Sequence, residues 1–172
     1  MAKLEREAFM TYLDTAFNTK VADASKASFE IIGDDIEELS VEMNPDTEQK
    51  KNILGQTKTT DNGYSPSFSA TPYYANPDKK LYPKLRDICM ERKSGDACKT
   101  LLLEVIVEDP KQTTHTAYLR EVLVKPDSYG GDTSGFSIPF TVSEDGAWAK
   151  GTVTAESLKA GSPVFTEGTS LS

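Results

Sequence analysis

Along this chain the hydrophobic positions recur at two spacings, and the change from one to the other marks out its elements. The clearest change lies between Asn62-Gly63, a chain break, and Val107. Tyr64, Pro66, Phe68, Ala70 and Pro72 alternate with small polar residues, which predicts a half-buried extended segment whose two prolines place it toward a sheet edge. Asn76-Pro77-Asp78 then signals a helix start, and Leu81, Leu85, Ile88 and Cys89 share one helical face bordered by Tyr82. A proline deep in a helix clashes with the carbonyl four residues back, so regular helix is expected over 83–93 after a lead-in turn at 78–82. Arg92 and Lys93 would then occupy the last turn, at the negative end of the helix dipole, closed by Ser94-Gly95. So short a helix is held by packing, with Leu81, Leu85 and Ile88 covering the strand that follows.

That strand, residues 100–108, is apolar on both faces, which predicts a central position under the helix on one side and another sheet on the other. A long strand over 113–125 follows, with Tyr118, Val122 and Val124 on one face and Ala117, Leu119 and Leu123 on the other. Phe136, Ile138, Phe140 and Val142 alternate again. Glu144-Asp145-Gly146 reads as a hairpin turn, and Trp148, Lys150 and Thr152 lead back. Nearer the start, Phe9, Leu13 and Phe17 have helical spacing while residues 8–13 equally suit a first strand, the preferred reading. A polar loop over 19–28 precedes a short strand at 29–32 and a turn at Gly33-Asp34-Asp35. A further strand over 36–43 would direct Leu39, Val41 and Met43 to the core and Glu38, Ser40 and Glu42 outward.

Residues 44–63 are almost wholly polar apart from Ile53-Leu54, which predicts a long loop or projecting hairpin with a small apolar tip. The whole is expected to be mainly β (α+β): a β-sandwich or flattened barrel of about seven strands with one packed helix over residues 1–154. Residues 155–172 hold too few apolar side chains to fold alone and are expected to be a flexible tail that orders only against a neighbour.

The chain has 172 residues, enough for one domain with a proper core. Nineteen basic against twenty-seven acidic residues give a net charge of −8, the wrong sign for gripping nucleic acid through its phosphates. The charged start lacks the apolar core of a signal peptide, and no apolar run approaches the roughly 20 residues of a membrane span, so cytosolic synthesis and no membrane partner are expected. The two cysteines, Cys89 and Cys98, make neither a disulfide framework nor a zinc site and are read as reduced packing thiols. His115, the only histidine, is read as a half-exposed strand residue. Gly130-Gly131 lacks the lysine of a phosphate loop, and Asp34, Asp35 and Asp145 lack the spacing of a calcium loop. No catalytic residue, metal site or cofactor is expected. Tyr73, Tyr74 and Trp148 are the remaining candidates, as an aromatic platform for a sugar.

Residues 62–69 with Tyr73-Tyr74, 91–96 at the helix end, 128–133 through Gly135-Phe136 and Ile138-Pro139-Phe140, and 149–152 occur in an order and spacing that resembles the major tail tube protein of long-tailed bacteriophages. Residues 38–42, 44–47 and 53–55 fit the same pattern. The resemblance spans residues 8–154; the loop at 18–28 and the tail after 155 fall outside it. It implies a structural virion protein without enzyme activity, assembled in the host cytoplasm as hexameric rings that stack into a tail tube for DNA ejection. Its implied partners are other copies of itself, the tape-measure protein and the tail terminator and baseplate or distal tail proteins, with DNA passing through unbound. On that reading Glu48, Lys50, Lys51, Ile53, Leu54, Thr57 and Thr59 would contact the next subunit, and Glu38 and Glu42 would line the bore. A carbohydrate-binding β-sandwich module of a phage tail tip, using Tyr73, Tyr74 and Trp148, is the alternative.

Overall fold

The computed structural model describes residues 3–168. In chain order these form β1 (Phe9–Asp14), β2 (Phe29–Ile32), β3 (Thr47–Lys51), β4 (Thr57–Asp61), β5 (Ser67–Ala70), α1 (Leu81–Met90), β6 (Lys99–Ile106) and β7 (Thr114–Pro126). There follow β8 (Gly130–Asp132), β9 (Gly135–Ser137), β10 (Phe140–Thr154), α2 (Ala155–Lys159) and β11 (Phe165–Glu167). The fold is mainly β. Its frame is one curled antiparallel sheet in the order β11-β10-β7-β6-β1-β2, with β5 also paired to β10.

The N-terminal ambiguity resolves as a strand because β6, apolar on both faces, offers β1 a ladder: Phe9 to Leu13 pair with Ile106 to Leu102. Phe17 falls beyond it, at φ +54°. The fully buried Asp14 closes β1 by accepting N–H bonds from Ala16, Asn18 and Ser28 at 2.8–2.9 Å, which shapes the polar loop.

Each face of the sheet carries its own core. Leu81, Leu85 and Cys89 of α1 pack with Leu13, Leu102, Val122, Val124, Phe140 and Val142, and Ile88 is buried beside them. On the opposite face, Leu101, Leu103, Val105, Ala117, Leu119 and Val153 form a second cluster. The curled sheet is consistent with the expected β-sandwich or flattened barrel, but among the described residues no separate second sheet lies over this face. Its cover is Val21 and Ala24 from a 3₁₀ turn (Val21–Lys26), Leu158 of α2 and Phe165 of β11. Because the sheet curls, β7 buries Ala117 and Leu119 on one face and then Val122 and Val124 on the other, while Tyr118 and Leu123 stay half-buried.

The helix starts and stops earlier than the 83–93 expected. Pro83 is its third residue, where the backbone N–H has no intrahelical partner, so proline costs nothing there. The Glu30 carboxylate of β2 caps the start by accepting from the N–H groups of Lys80 (2.8 Å) and Leu81 (3.4 Å). The end is a left-handed cap at Arg92 (φ +52°), with Arg92 N–H bonded to the Cys89 carbonyl and Lys93 N–H to that of Ile88. Arg92 and Lys93 therefore lie beyond the helix.

Four further expectations are corrected. Residues 36–43 form no strand: their backbone finds a single bridge, Glu42 to Ser67, and Met43, expected in the core, is 48% exposed. Glu144-Asp145-Gly146 is no hairpin turn either; β10 runs straight through it, with Asp145, Gly146 and Ala147 bulging opposite Glu121 of β7. Glu121 pins that bulge, one carboxylate oxygen accepting from Ala147 N–H (3.3 Å) and the other from Val21 N–H (3.0 Å). His115 is buried, 7% exposed, because it pairs with Val153 inside the sheet.

The fourth correction is the tail. Residues 155–167 form α2 and β11 instead of a flexible segment, and β11 pairs with β10 through Gly151↔Glu167 to Val153↔Phe165. The tail orders against its own chain, with Phe165 as its anchor; the part of that expectation concerning residues 169–172 lies outside the described residues. Gly151 makes the docking fit, since a Cβ there would stand 2.0 Å from the Thr166 carbonyl oxygen and 2.8 Å from the Phe165 ring. Gly151→Ala is therefore expected to lift β11 off the sheet at a cost of about 1–3 kcal/mol, read in a chemical denaturation curve and as faster proteolysis after residue 160.

Candidate assembly surface

Asn44 to Gly63 hold a two-stranded hairpin that is separate from the main sheet. β3 pairs with β4 from Thr47↔Asp61 to Lys51↔Thr57, and every residue of both strands is exposed. Its root is bonded in three places: Asp46 N–H to the Gly63 carbonyl (2.9 Å), Asn62 N–H to that of Asp46 (2.7 Å), and the Asn44 amide to the Ser65 carbonyl (3.0 Å). The tip is built by Asn52, whose side-chain oxygen accepts from Leu54 and Gln56 N–H at 3.0 Å while Gly55 takes φ +79°. This turn holds Ile53 and Leu54 in water, 102% and 76% exposed.

The seven residues expected to make contacts divide by register. Lys51, Thr57 and Thr59 share one face of the ribbon, Glu48 and Lys50 the other, and Ile53 and Leu54 occupy the end. Lys50 stands directly across from Lys58, an unfavourable pairing for an isolated ribbon, and the 4.0 Å Lys50–Glu48 pair is too exposed to offset it.

Glu38 and Glu42 are both exposed, but the strand whose polar face was to carry them is absent. They join Asp35 and Glu37 along a shallow groove floored by Leu39, Phe68, Pro72 and Tyr74, with no basic residue among those lining it. The groove ends where Glu42 bridges Ser67, close to the hairpin root.

A third polar feature went unnoticed in the sequence, where single charges in strands carry no periodic signal. Arg120 Nε lies 2.7 Å from Glu104 and 2.9 Å from Glu144, and its guanidinium sits over the rings of Tyr118 and Trp148 at 5.6 and 5.4 Å. Burial pushes the Glu144 carboxyl above the ordinary glutamate value; Arg120 opposes the shift and Glu104 adds to it. Arg120→Ala should cost about 3 kcal/mol at neutral pH, because two partly buried carboxylates lose their cation. With only the raising influences left, the folded-state pKa moves further above the unfolded one, so the folded form takes up protons and the deficit shrinks as pH falls. Urea denaturation of variant and parent at pH 7 and pH 5 checks both the size and the sign.

The three aromatic residues do not form one platform. Tyr73 packs edge-on against Phe140 in the helix-side core (5.4 Å), Tyr74 bridges Ser137, and Trp148 lies apart beside Tyr118. Asp34 pairs with Lys79 (2.9 Å) and Asp145 with Lys99 (3.4 Å). Among the described residues no group of three or more His, Cys, Asp or Glu is placed to hold a metal, and no helix is long and apolar enough to cross a membrane. Cys89 and Cys98 are buried free thiols; burial pushes the Cys89 thiol up against the opposing pull of Arg92.

The sequence matches no family model and no curated protein. In structure, the chain is similar to one from the virion of a native gene transfer agent particle, with a TM-score of 0.56 and 14% identity over 86% of this chain and 98% of that one. It is similar as well to one from the tail of an empty gene transfer agent particle with C6 symmetry, at TM-score 0.51 and 13% identity over the same shares. At such identities the likeness is one of fold, and it takes in nearly the whole of both of those chains.

Proposed function

We propose that this chain is the repeating structural subunit of a phage-like tail, assembling as hexameric rings that stack into a tube for DNA, and that its role is not enzymatic. The observation that carries this reading is the fold it shares with 98% of a chain from a tail with C6 symmetry. The hairpin supports it independently. A two-stranded ribbon with no buried residue and an aliphatic tip is poorly stabilised by its own chain, and it gains most when a neighbouring subunit covers it. The net charge of −8 suits a conduit, since an acidic wall lets duplex DNA slide whereas a basic one would hold its phosphates. Tape-measure, terminator and baseplate or distal tail proteins are the further partners on this reading, within a virion. Negative-stain electron microscopy of the concentrated protein tests it: six-fold rings or hollow tubes are expected, and a monomer at every concentration would overturn it.

A further inference from the structure

Resting on that reading, we infer that the hairpin tip of one copy docks in the acidic groove of another, Ile53 and Leu54 entering over its apolar floor and the lysines pairing with its rim. Ile53, at 102% exposure, is not covered by its own chain and is free to meet a second molecule. The tip has a defined chemistry: two aliphatic side chains held in place by Asn52, ringed by Lys50, Lys51 and Lys58. Such a knob needs an apolar seat with a carboxylate rim. The groove supplies it, with the half-buried Pro72 and Tyr74 among its lining beside Asp35, Glu37, Glu38 and Glu42, and a volume of about 650 Å³ for the turn to enter.

Two other hollows on the surface fail the same test. The one beside Met43 and Pro66 has its carboxylates, Glu104 and Glu144, already paired with Arg120 and so offers no free acidic rim, and the one under the helix end is lined by Arg92, Lys93 and Lys125, which would repel the lysines. Knob and groove lie on different parts of one molecule, so the contact is head-to-tail and propagates from copy to copy, as a ring or stack requires. The pre-formed turn keeps the ordering cost of docking low.

Charge exchange in the full-length protein tests the contact. Lys50→Glu, Lys51→Glu and Lys58→Glu together should abolish assembly, as should Glu37→Lys, Glu38→Lys and Glu42→Lys together, each set leaving the circular-dichroism melt of the monomer unchanged. All six in one chain should restore assembly. A groove triple variant that assembles like the parent overturns the inference. Thiol cross-linking of Leu54→Cys mixed with Ser40→Cys gives a second readout, because the native cysteines are buried. Linked dimers are expected only in the mixture. Tubes without the cross-link sink this contact and leave the tube reading standing; the cross-link without rings or tubes does the reverse.

Discussion

Replacing residues 48–60 by a short glycine-containing turn is expected to give a monomer that folds and melts like the parent but forms no rings or tubes. The deletion removes eight of the ten exposed strand residues, sparing Thr47 and Asp61, together with the two exposed aliphatics of the tip, and no side chain of either core. Surface changes of that kind usually stay within about 0.5 kcal/mol of neutral. Assembly, in contrast, loses its most exposed apolar pair and the lysines around it. Circular dichroism and analytical ultracentrifugation of the monomer, followed by electron microscopy, separate the two effects. Tubes of normal length from the shortened protein would show that the hairpin is dispensable for assembly.

The second large effect is expected at Leu85, fully buried in the middle of α1. Leu85→Ala empties a packed site and should cost about 3 kcal/mol. Leu85→Asp adds an unpaired carboxylate on the helix-side core, among Leu81, Leu102, Val122 and Phe140, where no cation is part of the cluster. A domain of ordinary stability has about 5–15 kcal/mol in all, so the aspartate variant should be largely unfolded or insoluble and the alanine variant folded with a lower midpoint. Thermal and urea melts of both decide it. An aspartate variant melting near the parent would mean that this face of the helix is not held against the sheet.

Much of the architecture could be read from spacing. The apolar positions on both faces of β6 need no context to mark a central strand, and the run at 29–32 closed by Gly33-Asp34 reads directly as β2. Leu81, Leu85, Ile88 and Cys89 define the inward stripe of α1 whichever residue begins it. Nothing local, however, announced the groove. Asp35 and Glu37 look like ordinary turn residues until Thr71 and Pro72 are brought beside them. The Arg120 network likewise draws on β6, β7 and β10 at once.

By itself, then, the sequence determined which segments are apolar and on which side: the faces of β6 and α1, and the polar stretch of 44–63 with its one aliphatic pair. Tertiary structure alone decided what those segments pair with. Residues 36–43 alternate as well as many strands do, yet only Leu39 is buried and only Glu42 finds a ladder partner, at Ser67 of β5, whose opposite edge is the one that pairs with β10. The tail has too little apolar surface to fold alone, but Gly151 leaves room for it and Phe165 fills that room. A strand is stable only where another backbone supplies its hydrogen bonds, and that partner is fixed by the fold, not by the residues of the strand itself.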